Sequence, residues 1–344
     1  MNNVNLYTSE GWLDIPSLDR VPGVWLVVIV GARQIGKTYG LLKMLMKEKE
    51  GQFIYMRRTK EEVELICQNP DLSPFTPLEQ EDIHPVCEKI GKTYIIGDQP
   101  ENKEFIQKGI VLPLSAIAKM RGFSGLHYTD LFFDEFIPEK MVIKRKGEGD
   151  ALLNAYTTIN GNRELAGKPP LKMWLAANAF DQENPILERL GLINVLARMK
   201  RRKEEYCIVN GSCLVIRPLS YAVTEKHERT AMNAFLEKQG TAGEYLGMAV
   251  HNTFSYDSTD MVRPRPLKGH KPLCGAGKIY LYTNGTSLYV CNSRHNKRRY
   301  GESAADKIKC QLEFPVIRQL YNSNLISFSD AETMLYFKKY FSVD

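Results

Sequence analysis

The sequence of 344 residues has no apolar run near the ~18 residues that a membrane span requires, so no segment of it reads as a transmembrane helix. Met1 to Asn5 carry neither a charged n-region nor an apolar core and do not read as a signal peptide. The seven cysteines are odd in number and scattered without C-x-x-C spacing. That argues against a disulfide framework and a zinc site, and it suits reduced thiols in a cytoplasm. Charge of one sign is also in short supply: 46 Lys and Arg against 40 Asp and Glu leave a net +6. Such a balance permits a polyanion partner without showing one, because the local distribution of cations matters more than the sum. There is no internal repeat and no low-complexity tail. What remains is an ordinary globular composition, at a length that suggests about two domains of ~150 residues each.

One stretch organises the chain. Gly31-Ala32-Arg33-Gln34-Ile35-Gly36-Lys37-Thr38 matches the phosphate-binding pattern G-x-x-x-x-G-K-[ST] at every fixed position. Before it, Trp25 to Val30 is apolar and β-branched, as a buried parallel strand would be. After it, Tyr39 to Lys49 reads as a helix. Strand, glycine loop and helix in that order aim backbone N–H groups and a helix N-terminus at an anion. Gly31 and Gly36 allow the tight turn and the close approach. Lys37 is expected on the β- and γ-phosphates, and the Thr38 hydroxyl on Mg²⁺.

Gln52 to Met56 reads as a second strand, followed at once by Arg57-Arg58-Thr59-Lys60. A basic cluster at the carboxyl end of a strand in an open α/β sheet lies on the ligand side; a solvated turn is the alternative. Glu61 to Cys67 reads as a short helix. From 68 to 110 the pattern is irregular, with Pro70, Pro74, Pro77 and Pro85, and strands are expected at 93–96 and 109–114. Leu131-Phe132-Phe133-Asp134-Glu135 is an apolar strand ending in two acids, the Walker B arrangement. It delivers Asp134 to the magnesium shell and leaves Glu135 to polarise an attacking water. A helix is expected from near Asp150 through Ile159, then a strand from Leu171 to Ala177. Asn178 at its end suits either a sensor of the γ-phosphate or a simple turn cap.

Leu187 to Lys203 reads as one helix that becomes very basic. A hairpin is expected across Asn210-Gly211 and another around Asn284-Gly285. Thr230 to Leu246 reads as helical. A final helix is expected to start at Ser329, with Glu332 completing a capping box. The residues before residue 25, among them Trp12 and Leu13, would pack beside the nucleotide base or cover a sheet edge.

With both motifs in place, the chain resembles the double-stranded DNA packaging ATPases of tailed phages, and most closely the phi29-like DNA encapsidation proteins. The resemblance rests on the phosphate loop, on Gln52 to Lys60, Phe132 to Ile137, Ala151 to Asn154, Asn162 to Glu164, and Asn178-Ala179. It covers roughly residues 20 to 185. It implies an α/β P-loop ATPase of the additional-strand (ASCE) class over residues 1–199, a RecA-like parallel sheet with helices on both faces. A linker over 200–229 and an α+β, RNase H-like vestigial nuclease domain over 230–344 would follow. ATP and Mg²⁺ are the implied cofactors. The implied partners are viral double-stranded DNA, the capsid portal, further copies in a ring, usually of five, and in the phi29-like group a structural RNA. The implied setting is the infected host's cytoplasm, docked transiently on the procapsid.

By the same resemblance Arg33 acts in cis within the loop, Lys60 acts on a neighbour's nucleotide, and Arg163 is the candidate arginine finger in trans. Where the family pattern reads Arg-Asn-Arg-Glu, this chain has Gly161-Asn162-Arg163-Glu164. The finger is therefore either Arg163 or a lysine such as Lys144 or Lys146. Three readings compete: a DNA translocase, a terminase whose C-terminal domain also cuts, and a non-motor nucleotide switch. The hairpin of Lys278 to Cys291 has no acid on either strand, whereas a two-metal nuclease needs converging carboxylates. The translocase is the preferred reading.

Overall fold

The computed structural model describes residues 4–32, 34–91, 93–101, 103–117, 125–138, 147–178, 184–219, 231, 235, 238, 261–264 and 269–343. Arg33, Lys144, Lys146 and most of the helix expected at 230–246 lie outside these. The chain divides into two compact units, Met1–Leu190 with Met199–Ser255, and Gly191–Arg198 with Tyr256–Asp344.

Nine strands form the sheet of the first unit: β1 (Leu26–Val30), β2 (Gln52–Arg57), β3 (Pro85–Ile90), β4 (Thr93–Asp98), β5 (Ile106–Pro113), β6 (Tyr128–Asp134), β7 (Lys172–Ala177), β8 (Tyr206–Val209) and β9 (Cys213–Ile216). Their spatial order is β3-β4-β5-β2-β6-β7-β1-β9-β8. The six from β5 to β9 in that order are mutually parallel; β4 and β3 extend one edge antiparallel, and β8 the other. Every residue of β1 is buried, as expected of a parallel strand covered on both faces. On one face Val27, Ile29, Phe53, Tyr55, Phe132 and Trp174 join a single core with Leu41, Leu42 and Val63 from the helices. β7 lies between β1 and β6, so one additional strand separates the phosphate-loop strand from the strand that ends in Asp134. This is the fold class the sequence implied.

The helices of this unit are α1 (Ile15–Asp19), α2 (Lys37–Lys43), α3 (Lys60–Gln68), α4 (Leu114–Ile117), α5 (Glu148–Leu165) and α6 (Pro185–Arg189). The helix after the phosphate loop loosens into a π turn at Met44–Glu48 before β2. β3 was not expected. It is a mostly exposed edge strand that opens on a proline, which removes the apolar signal and still suits an edge. The basic helix expected as one piece is two, α6 and α7 (Ile193–Arg202), separated by Gly191 at φ +67°. Within the stretch read as a linker, β8 and β9 form the expected hairpin, with Asn210 and Gly211 both at positive φ, and β9 pairs parallel to β1.

The second unit has a five-stranded mixed sheet, order β13-β10-β11-β12-β14, from β10 (Lys271–Ala276), β11 (Ile279–Thr283), β12 (Leu288–Cys291), β13 (Arg299–Tyr300) and β14 (Ile326–Phe328). β10 to β12 are an antiparallel meander, and β13 and β14 add parallel at either side. Its helices are α8 (Ala304–Glu313), α9 (Ile317–Asn322) and α10 (Ala331–Phe341). α10 inserts Met334, Phe337, Tyr340 and Phe341 into the core beside Leu281 and Phe328. Its N-cap is Asp330, whose carboxylate accepts the Thr333 N–H at 2.8 Å, and not Ser329 as expected. The carboxylate accepts the same bond one residue later in the chain, and Asn194 Oδ1 takes the N–H groups of Ala331 and Glu332.

Candidate functional site

The site forms where β1, β7, β6 and β2 end side by side. β1 runs out at Val30 and the phosphate loop follows. Gly31 passes so close to Pro218, just beyond β9, that a Cβ there would sit 2.6 Å from the Pro218 Cγ. Gly36, at φ +87°, is the N-cap of α2 in the left-handed region that a side chain disfavours. The Lys37 side chain is 5% exposed and donates to the carbonyl oxygens of Gly31, at 3.1 Å, and of Ala32. Its ammonium is thus held inside the loop it serves. The N-terminal lead-in packs against both this loop and a sheet edge: Leu13 N–H donates to the Ile35 carbonyl at 3.2 Å and Trp12 lies beside Gly36, while Val4 N–H donates to the hydroxyl of Tyr206 on the edge strand β8 at 3.5 Å.

Thr38, the first-turn hydroxyl of α2, donates to both Asp134 oxygens at 3.0 and 3.2 Å. Three further donors converge on Asp134: the Tyr55 hydroxyl at 2.9 Å and Arg57 Nη1 at 3.3 Å, both from β2, and the Glu135 N–H at 3.1 Å. Burial pushes the Asp134 carboxyl above its ordinary range, Arg57 opposes that, and neighbouring Glu135 adds to it. Burial also raises the Tyr55 hydroxyl, reinforced by the Asp134 charge, so it remains a donor. For Arg57 burial works against the charge, but Tyr55, Asp134 and Glu135 outweigh it and raise its pKa. A hydroxyl and a buried carboxylate in contact are the hard oxygen donors Mg²⁺ takes. Thr38 and Asp134 fit that ion.

Glu135 follows in the left-handed region, φ +52°, an uncommon conformation for a side-chain-bearing residue. Its carboxylate accepts Arg57 Nη2 at 2.7 Å and Asn178 Nδ2 at 3.3 Å, and its side chain is 49% exposed. Asn178 therefore does more than cap a turn: from the end of β7 it reaches across to the acid at the end of β6. The structure brings together Lys37, Thr38, Asp134, Glu135 and Asn178.

Two residues of this cluster were not singled out by the sequence. Arg57 bridges Asp134 and Glu135; its signal was the basic run at the end of β2. Within that run the neighbours diverge. Arg58 is buried in an ion pair with Glu148 at 2.7 Å. Lys60 projects from the first turn of α3, 65% exposed and 3.2 Å from Glu64. Tyr55 carried no signal, because nothing in an apolar strand marks its hydroxyl as functional.

Arg163 is placed elsewhere. It is 4% exposed, in the last turn of α5, and donates to the carbonyls of Leu126, Tyr128 and Pro169 through Nε and both Nη atoms. Tyr128 begins β6, the strand whose far end carries Asp134. A guanidinium fixed by four hydrogen bonds inside its own subunit, at the amino end of the sheet, does not suit a finger that reaches into a neighbour.

The model of the podovirus DNA encapsidation protein (Gp16) family matches residues 14–274. No curated protein shows significant similarity to the chain. Among solved structures, a chain of the bacteriophage phi29 viral genome packaging motor assembly is similar over 98% of this chain and 100% of its own, with 20% identity and a TM-score of 0.62. The phi28 gp11 DNA packaging motor is similar over 98% and 99%, with 15% identity and a TM-score of 0.56. These likenesses show a shared fold across both units.

Proposed function

The chain belongs to the podovirus DNA encapsidation (Gp16) family, and from that premise we propose that it is an ATP-driven motor moving double-stranded viral DNA into a preformed capsid. The observation that carries the catalytic part is the convergence of Thr38, in the first turn of the helix that follows β1 and the phosphate loop, with Asp134 and Glu135 at the end of β6, one inserted strand away. The loop N–H groups and Lys37 bind the triphosphate, exchanging the carbonyls of Gly31 and Ala32 for phosphoryl oxygens. Thr38 and Asp134 would hold Mg²⁺, which would supply neutralisation of the charge on the phosphates when bound. Glu135 takes the proton of the attacking water. Arg57 and Asn178 orient it, since both contact its carboxylate.

The site is completed by a neighbouring subunit in a ring, which we take to have five members. Lys60 is the candidate trans-acting cation among the described residues, because its long side chain is largely exposed, with Glu64 of the same helix 3.2 Å away. Arg33, Lys144 and Lys146 keep the roles the resemblance gave them. The partners are viral DNA, the portal, and a structural RNA of the motor; the setting is the host cytoplasm, at the procapsid. The C-terminal unit binds and does not cut, in keeping with a meander that holds no carboxylate.

The test is steady-state ATP hydrolysis with and without double-stranded DNA. Wild type is expected to hydrolyse ATP faster with DNA and to rise more than linearly with protein concentration. Glu135→Gln should lose about 10²–10⁴ in kcat while still binding ATP, and Lys37→Ala should lose nucleotide binding itself. Hydrolysis that survives Glu135→Gln would overturn the assignment of the base.

A further inference from the structure

Residues 4–14 match no motif and take no part in the chemistry above, yet the fold ties them to both ends of the phosphate loop. Leu6 to Asp14 double back as a short hairpin. Thr8 N–H donates to the Trp12 carbonyl at 2.8 Å, Asp14 N–H to the Leu6 carbonyl at 2.9 Å, and Gly11 turns the chain at φ +89°. One arm reaches the far end of the loop, where Leu13 donates to Ile35. The other arm carries Tyr7, whose hydroxyl has two partners. It donates to Glu205 Oε1, just before β8, and accepts the Leu219 N–H at 2.8 Å. Leu219 N–H also reaches Glu205 Oε1 at 3.1 Å, and Arg217 N–H donates to the Glu205 carbonyl at 2.7 Å.

Between Arg217 and Leu219 stands Pro218, buried against the near end of the loop. A Cβ on Gly31 would sit 2.6 and 2.8 Å from Pro218 Cγ and Cδ, and 3.2 Å from Ile35 Cδ1. The loop is thus gripped at both ends, and the two grips meet at Tyr7. There is no slack in this arrangement, and close-packed contacts pass a displacement on instead of absorbing it. Lys37 draws the Gly31 and Ala32 carbonyls in around its ammonium. When phosphates take Lys37, those carbonyls are released and the loop widens. On the Gly31 side it can widen only by moving Pro218. Leu219 then moves off Tyr7 and Glu205, which are half-exposed, so water can replace the lost bonds at small net cost. From Leu219 the chain runs on to the second unit, which resumes at Tyr256.

We propose that the hairpin is a clasp coupling the phosphate loop to the chain that leaves β9, with Tyr7 and Glu205 as its positioning residues. It is closed while Lys37 holds the loop carbonyls and loosens when a triphosphate takes Lys37, so that nucleotide is reported at Leu219. The proposal rests on the reading of the loop as a triphosphate site. Such a coupling is reciprocal: the factor by which nucleotide loosens the clasp is the factor by which the closed clasp weakens nucleotide binding. The sign therefore separates a clasp from a prop. Cutting a prop that shapes the loop for phosphate would weaken binding; cutting the clasp strengthens it.

The experiment uses the full-length protein with Mg²⁺ and a non-hydrolysable ATP analogue. Hydrogen exchange at the Leu219 amide and the analogue's affinity are measured for wild type, Tyr7→Phe and Glu205→Gln. Both substitutions keep the side chain's shape, and an unchanged melting curve establishes that each variant folds. In wild type the analogue is expected to speed exchange at Leu219, a measurement that needs no variant. Tyr7→Phe should exchange faster there before any analogue is added, and bind the analogue about three- to ten-fold more tightly, as the loss of one net hydrogen bond implies. Glu205→Gln should act in the same direction. The double variant should not exceed Tyr7→Phe, because contacting groups that act as a unit are not additive. Exchange at Leu219 that ignores the analogue in wild type, or Tyr7→Phe binding that is unchanged or weaker, would overturn the proposal. Wild type that does not bind the analogue at all would overturn the triphosphate reading, and the clasp with it.

Discussion

Asp134 takes its position at the cost of solvation. In the folded protein burial raises its pKa above the ordinary 3.8 despite Arg57. The folded form then holds a proton that the unfolded chain has released, over the interval from the ordinary to the raised value. With more protons bound in the native state, stability falls as pH rises through that interval and stays lower above it. Asp134→Asn removes the charge and keeps most of the shape. In chelator-treated protein it should melt higher than wild type at neutral pH, with the difference vanishing toward pH 4, while hydrolysis is lost. Thermal melts from pH 4 to 8 check this, and an equal or lower melting point at pH 7 would contradict it. The same scale shows why Arg57 was hard to read. Arg57, Arg58 and Lys60 look alike in the sequence, yet one bridges the two acids, one is buried on Glu148 and one faces solvent.

The phosphate loop depends on elements that lie far from it in sequence. Gly31 is needed because Pro218 lies against it, 2.6 Å from where a Cβ would sit. Gly31→Ala should destabilise the first unit by about 1–3 kcal/mol through overpacking. Pro218→Ala removes the two atoms nearest the new methyl, so the double variant should recover about 1 kcal/mol or more, as a contacting pair does. Additive losses in denaturant titrations would show that the turn, and not the contact, requires glycine. Arg163 ties the end of α5 to the starts of β6 and β7. Its removal leaves the buried carbonyls of Tyr128 and Pro169 without this donor, while Leu126 keeps Lys168, and Arg163→Ala should cost about 3 kcal/mol. A folded Arg163→Ala protein should bind ATP normally; full stability with lost hydrolysis would return Arg163 to catalysis.

For the whole molecule, the question is which residue completes the site from outside. If Lys60 acts on a neighbour's nucleotide, Lys60→Ala and Glu135→Gln are each inactive alone, and mixing them restores part of the hydrolysis. Mixed subunits pair an intact Glu135 with an intact Lys60, and the assay is ATPase against mixing ratio. Activity retained by Lys60→Ala alone would remove it from that role and turn attention to Arg33, Lys144 and Lys146.

The sequence by itself determined the parts whose chemistry is local. The phosphate loop is a continuous run in which glycines, lysine and threonine must stand at fixed spacing. Asp134 and Glu135 stand at a strand end that hydrophobicity marks, and the Asn-Gly turns announce their hairpins. It could not determine contacts made across the sheet. Arg163 reads as a free cation beside a glutamate until the fold surrounds it with carbonyls, and Tyr55 reads as one more apolar strand residue until β2 is laid against β6. Only the tertiary structure decided those, because burial and partner geometry depend on which strands become neighbours, and local residue preferences do not encode that.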